Sequence, residues 1–156
     1  MPAEVRLRRA TLRDANAEWC AWVNDPTVHR YLSTRTATIP GLRRYIQDAR
    51  KRGAWLAAIC LPSGTRIGTV KVEFSPVDVG TVGIMIGHKI AWGKGYGTAA
   101  LRAVVQLAQQ WKLLSLRAGM MPGNLASVAA FRKAGFTVTQ QPNGFWSARR
   151  DIHAVR

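Results

Sequence analysis

Three glycines alternate with two larger residues in the run Gly93-Lys94-Gly95-Tyr96-Gly97, directly after an apolar segment and directly before a helical pattern. Glycine enters the left-handed backbone region at little cost, so such a turn can aim successive N–H groups at one point. A helix N-terminus behind it, starting near Thr98, adds unpaired N–H groups and the positive end of the helix dipole. Together these features grip phosphate, and Lys94 adds a cation beside them. Two further residues could do chemistry. His88 ends the apolar segment, and an imidazole with an ordinary pKa near ~6.5 can act as a general base, although a lone His at a strand end is more often plain polar surface. Asn124 stands just before an apolar run and reads as a helix N-cap.

Charge asks a separate question. The chain has 156 residues, with 23 Lys plus Arg against 8 Asp plus Glu, a formal net charge of +15. A small phosphorylated ligand carries only about four negative charges, which leaves most of that excess unexplained. RNA, as tRNA or ribosome, is the economical polyanionic partner. Its candidate contacts are Arg6, Arg8 and Arg9, then Arg43, Arg44, Arg50 and Lys51 on one face of a helix with Arg52 after it, then Arg132, and finally Arg149 and Arg150. The competing reading of that helix face is simple solvation.

The remaining composition narrows the class. A hydrophobic share of 47% marks a folded chain. No apolar stretch approaches the roughly 20 residues of a membrane span. The opening residues hold no apolar signal core, so a cytoplasmic protein is expected. Cys20 and Cys60 sit among apolar residues as two buried thiols, and no Cys/His spacing suits a metal.

The elements that must position these groups follow from pattern. Glu4 to Ala10 alternates as a strand, and 11–24 reads as a helix opened by Thr11 and Asp14 and stopped at Asn24-Asp25-Pro26. A second helix covers 40–52. Strands over 54–61 and 66–74 form a hairpin, a fourth strand covers 81–88, and a helix runs over 98–111. A strand after it, a helix over 124–133, and a terminal strand pair complete a mixed α/β sheet with a central βαβ unit.

Three local motifs in this order resemble the GNAT N-acetyltransferase superfamily: "WGKGYGTAAL" around the glycine turn, "NLASVAAFRKAGF" over 124–136, and "WVNDPTVHRYL" over 22–32. The last is similar to the branch of ribosomal-protein N-terminal and nucleotide-sugar acetyltransferases. The resemblance implies a single domain over 1–156, a GNAT-like α/β fold with splayed middle strands and about four flanking helices. It also implies acyl transfer from acetyl-CoA, or another acyl-CoA, to a primary amine by direct attack. The donor would lie between strands 66–74 and 81–88, against Ile84, Ile86, Trp92, Gly93, Lys94, Gly95, Tyr96, Gly97, Thr98, Asn124, Phe131 and Lys133. Trp92 replaces the usual Gln or Arg of the loop. Phe131 stands where a tyrosine acid is common, which moves the role of protonating the leaving group to Ser127. Glu73, the one carboxylate on those two strands, is the first candidate to bind or deprotonate the amine, ahead of His88; a surface ion pair is its ordinary alternative. Trp22, Asn24, His29 and Tyr31 would border the acceptor, a small-molecule amine or a protein N-terminus.

Two other functions fit the charge. One keeps the fold and takes its acyl group from aminoacyl-tRNA. The other is a non-catalytic RNA-binding domain. A monomer or homodimer without membrane contact is expected in each case.

Overall fold

Strand residues 55–60 are buried on both faces, which demands cover on both sides of the sheet. A computed structural model, describing residues 3–153, shows how this is met. The order is β1 (Arg6–Arg9), α1 (Ala17–Asn24), α2 (Pro26–His29), α3 (Ile39–Lys51), β2 (Trp55–Cys60), β3 (Arg66–Phe74) and β4 (Val79–Ile86). There follow α4 (Tyr96–Gln110), β5 (Ser115–Met120), α5 (Leu125–Lys133), β6 (Thr137–Gln140) and β7 (Trp146–Asp151). Single 3-10 turns precede α1 and α4.

The seven strands form one sheet in the order β1-β2-β3-β4-β5-β7-β6. Every pairing is antiparallel except β4 with β5, which α4 joins as a crossover. Two cores lie on opposite faces. One packs Ala57, Ile59, Val70 and Val72 under Leu101 and Val104 of α4 and Phe131 of α5. The other packs Leu56 under Trp19 and Trp22 of α1 and Leu42, Ile46 and Ala49 of α3. On that second face Thr81, Gly83, Arg117, Gly119, Ser147 and Arg149 are exposed, so the sheet is bare from β4 to β7.

A buried ion network fixes α1 to the sheet. The Asp14 carboxylate accepts from Arg8 at 2.9 and 3.0 Å, from Arg66 at 3.0 Å and from the Thr11 N–H at 2.8 Å. Arg66 also donates to Asn16 Oδ1 at 2.7 Å and to the Asp14 carbonyl at 2.8 Å. Its guanidinium lies 5.1 Å from the Trp22 ring and 5.8 Å from the Trp19 ring.

The same network explains where the expected helix over 11–24 divides. Asp14 is drawn to Arg8 and Arg66, the chain leaves helical geometry at Ala15, and Asn16 starts α1 by accepting from the Trp19 N–H at 3.1 Å. The stop at Asn24-Asp25-Pro26 is followed at once by α2, because Asp25 caps Thr27 and Pro26 sits in the first turn.

Burial pushes the Asp14 pKa up, but Arg8, the Thr11 N–H and Arg66 hold it below its ordinary value. A depressed carboxyl stabilises the fold above its unfolded pKa of ~3.9 and loses that contribution as pH falls through the folded value. Asp14→Asn leaves the buried Arg66 charge facing only the Glu18 carboxylate, at 3.5 Å, and is expected to cost about 3 kcal/mol in urea unfolding at neutral pH. It should also flatten the acid limb of stability below about pH 4. A loss under about 1 kcal/mol would show that the network is decorative.

Candidate functional site

The β4–β5 pairing covers Val79↔Ser115, Gly80↔Leu116 and Thr81↔Arg117, and then stops. β3 continues beside β4 as far as Ile86, and β7 continues beside β5 as far as Met120. The two middle strands therefore diverge, leaving a wedge-shaped gap walled by the unpaired backbone edges of 82–86 and 118–120. An opening between 66–74 and 81–88, expected from the sequence, is not there: those strands form an unbroken ladder from Gly68↔Ile86 to Phe74↔Gly80. The opening lies one strand further along.

Two helix N-termini stand at the open end, because β4 leads into α4 and β5 into α5. Gly93 (φ 72°) and Gly95 (φ 85°) both take the left-handed conformation. Gly95 caps α4 without a side chain, the first intrahelical bond runs from the Ala99 N–H to the Gly95 carbonyl, and the first turn has no acid. Among the described residues no acceptor takes the N–H groups of Tyr96, Gly97 and Thr98. Lys94 is exposed beside them. Gly97 lies against α5, where an added Cβ would sit 3.8 Å from the Ala130 Cβ. Trp92 folds back so that its Nε1–H donates to the Ile86 carbonyl at 2.7 Å, which pins the turn to the end of β4. Across the gap, Asn124 caps α5 by accepting from the Ser127 N–H at 3.4 Å, and the half-buried Ser127 side chain follows in the first turn.

The segment from Trp22 to Tyr31 spans this mouth. Trp22 lies on Gly87, where an added Cβ would meet its ring at 2.3 Å. Asp25 pairs with Lys89 at 2.8 Å, just before the glycine turn. Tyr31 reaches the other side: its hydroxyl would sit 3.4 Å from a Cβ added at Gly123. Asn24 and His29 shape this segment from within. The Asn24 side chain bonds both the N–H and the carbonyl of Ala37, at 2.8 and 3.0 Å. His29 Nδ1 lies 2.8 Å from the Val23 carbonyl, so Nδ1 carries a proton and donates to it.

Other candidates are placed differently. Glu73 sits opposite Thr81 at the closed end of the wedge. It is held by Arg52 at 2.5 Å and Lys71 at 3.7 Å, and the Arg52 contact first, then Lys71, keeps its carboxyl below the usual range. That is the surface ion pair, and a poor base. Phe131, expected beside the donor, is a core side chain, 2% exposed and edge-on to Phe136 at 4.9 Å. Ile84 and Ile86 are half-buried on the gap's β4 wall, Lys133 is exposed at the far end of α5, and His88 is half-buried just beyond β4.

The RNA candidates do not converge on the gap. Arg8, Arg52 and Arg149 are engaged by Asp14, Glu73 and Asp151. Arg132 lies over Trp146 at 5.6 Å, and Arg150 donates to the Asp151 carbonyl at 2.7 Å. Arg6 and Arg9 are exposed on β1, while Arg43, Arg44, Arg50 and Lys51 are exposed along α3. Two signals that could have located the mouth were Gly87 and Gly123, whose missing side chains admit Trp22 and Tyr31.

A wedge between parallel neighbours, with a glycine turn and a helix N-terminus at its open end, defines the class, and comparison agrees. Residues 4–137 match the family model described as the acetyltransferase (GNAT) domain. The chain belongs to that family and is an acyltransferase of GNAT type. It is similar to RimL, a ribosomal-protein alpha-N-acetyltransferase solved with coenzyme A, at 19% identity and a TM-score of 0.83 over 97% of this chain and 96% of that one. A domain from Methanocaldococcus jannaschii DSM 2661 gives 20% identity and a TM-score of 0.81 over 96% and 99%. The aminoglycoside acetyltransferase AAC(6')-Ib, solved with coenzyme A and kanamycin, gives 19% and 0.79 over 95% of each chain. At these identities the structural likeness is one of fold. No curated protein sequence matches the chain.

Gly87→Ala should force Trp22 off the end of β4. The expected result is a loss of roughly 1–3 kcal/mol in stability together with a changed Trp fluorescence spectrum. Unchanged emission and stability would mean that the segment does not rest there.

Proposed function

We propose that this chain moves an acyl group from an acyl-CoA to a primary amine by direct attack in the wedge between β4 and β5. The observation that carries the reading is the combination of an unpaired β4 edge with the free N–H groups of α4 at one end of it. A pyrophosphate fits that helix start, where no acid or capping side chain competes and Lys94 stands by. The amide-bearing arm of the donor fits the strand edge, whose backbone groups need partners. The bound thioester supplies an activated carbonyl carbon and a sulfur leaving group. An aminoacyl ester on tRNA is the weaker donor, since the basic residues that would track its strand lie away from the gap.

This chain's residues then have definite tasks. The amine enters past Tyr31 and the His29 Nε2. Trp22, Trp92 and the Asp25–Lys89 pair hold the two rims in place. Attack forms the C–N bond as the C–S bond breaks, within a geometry set by the strand edges. With Glu73 already paired, His88 is the titratable group beyond β4 and takes the amine proton. The Ser127 hydroxyl, on the facing rim, gives a proton to the departing thiolate and regains one from solvent.

Titration calorimetry with acetyl-CoA, with ATP as comparator, should show saturable binding clearly tighter than ATP. Binding no tighter than ATP would overturn the donor. With a peptide or aminoglycoside amine that turns over, Ser127→Ala and His88→Gln are each expected to lower kcat by about a hundredfold or more at unchanged thermal stability. An unaltered kcat removes that residue from the reaction.

A further inference from the structure

A second groove opens at the opposite end of α4 from the glycine turn. Its walls are Arg9, Trp55, Phe74, Asp78 and Trp111, and its volume is about 430 Å³. α4 has 15 residues, which at 1.5 Å per residue separates the two ends by about 22 Å. The groove is therefore distinct from the acyl-transfer wedge. Trp111 is its centre: Trp55 meets it at 5.2 Å and 66°, Phe74 at 5.1 Å and 88°. None of the three rings is stacked face to face with another. Phe74 is 41% exposed, and Val77 and Leu114 nearby are 67% and 65% exposed.

A cationic stripe lies on α3, which packs on the opposite face of the sheet, and its C-terminal end reaches the rim of this groove: Arg50 donates to the Ala10 carbonyl at 3.3 Å, beside Arg9, and Gly53 and Ala54 line the groove. On α3, Arg43, Arg44, Gln47, Arg50 and Lys51 fall within one arc of the helix and are all exposed. Arg43, Arg44 and Lys51 are in no ion pair among the described residues; nor is Arg9. The chain then passes directly from Lys51 through Arg52 and Gly53 to Trp55. A half-buried aromatic cluster with one exposed ring, Phe74, at the end of a run of free cations suits a strand that packs a base on the cluster while its phosphates track positive charge.

We propose that this surface docks single-stranded RNA, with phosphates along Arg43, Arg44 and Lys51 and one base in the groove of Trp55, Phe74 and Trp111. Arg9 holds the neighbouring phosphate, and the Asp78 carboxylate, in no ion pair, accepts from an exocyclic amine of the base. RNA is the occupant because the stripe is complementary to a polyanion, and loops and ends with splayed bases are regular features of RNA.

The test uses the full chain and a labelled oligocytidine of about twelve nucleotides, whose bases carry that exocyclic amine, followed by anisotropy across salt concentrations. The expected result is saturable binding accompanied by quenching of Trp emission. Phe74→Ala, an exposed position outside the acyl-transfer wedge, should weaken binding at least about fivefold with the salt slope unchanged. The triple variant Arg43→Ala, Arg44→Ala, Lys51→Ala should lower the slope by about two, at roughly 0.7 per lost phosphate contact. Acetyl-CoA affinity should stay the same in both, which keeps this proposal separable from the donor reading. The proposal is overturned by absence of binding at about 50 mM salt, or by a Phe74→Ala variant that binds as the parent does. It is equally overturned if polyglutamate of matched charge competes as well as RNA, which would assign the face to an acidic protein. Concentration-dependent dimers abolished by Phe74→Ala would assign it to a second copy.

Discussion

β4 and β5 touch over three residue pairs and then part, and everything at the site depends on how that contact is made. Gly80 makes it. A Cβ there would lie 2.9 Å from Val72 Cγ1 and 3.0 Å from Leu113 and Leu116, so only glycine lets β4 settle onto the side chains at the base of β5. Leu116, paired with Gly80, is fully buried beneath it. Further along, β4 carries Ile84 and Ile86, and the strands diverge around them. Apart from the Ile86 carbonyl, which Trp92 takes, the backbone edges that result have no strand partner among the described residues, and a ligand that brings amides would satisfy them where water otherwise must.

Charge is distributed by the same logic of necessity. Eight carboxylates face 23 cations. Asp14 is placed where burial leaves no choice, against Arg66, whose side chain is 7% exposed. Asp25 ties the segment from Trp22 to Tyr31 to Lys89, and Glu73 answers Arg52 and Lys71 at the end of α3. Apart from Lys71–Glu73, which lies within β3, each of these pairs holds one segment to another. Few acids are then left to balance the outer face of α3, where Asp48 is the one acid in the helix. The positive surface is a consequence of where the fold needed its anions.

The sequence disclosed what is local. Glycine alternation, the Asn124 cap and the apolar face of α3 are each written within a dozen residues, and each stands in the structure where its pattern put it. The wedge was located one strand away because periodicity describes a strand's faces and not its neighbours. Which pair separates is decided by the α4 crossover and by contacts at Gly80, from residues far apart in the chain. The candidacy of Glu73 rests on the opening expected between 66–74 and 81–88; with the gap one strand further along, Glu73 sits at its closed end in an ion pair with Arg52. Phe131 occupies a motif position that faces ligand in the resemblance, yet its apolar ring packs with Phe136. The division of the first helix depended on Arg66, about 50 residues from Asp14, so no local window contained the cause.

α4 links the two surfaces and imposes opposite preferences on them. Its N-terminus offers free N–H groups and positive potential, which favours the phosphates of a donor. Its C-terminus ends at Trp111, where carbonyls and negative potential disfavour phosphate but tolerate an aromatic base. The cations near that end lie on α3 and β1, off the helix axis, so a strand there must set its phosphates to the side and turn a base inward. One helix thus presents unpaired backbone N–H groups at one end and an aromatic cluster at the other.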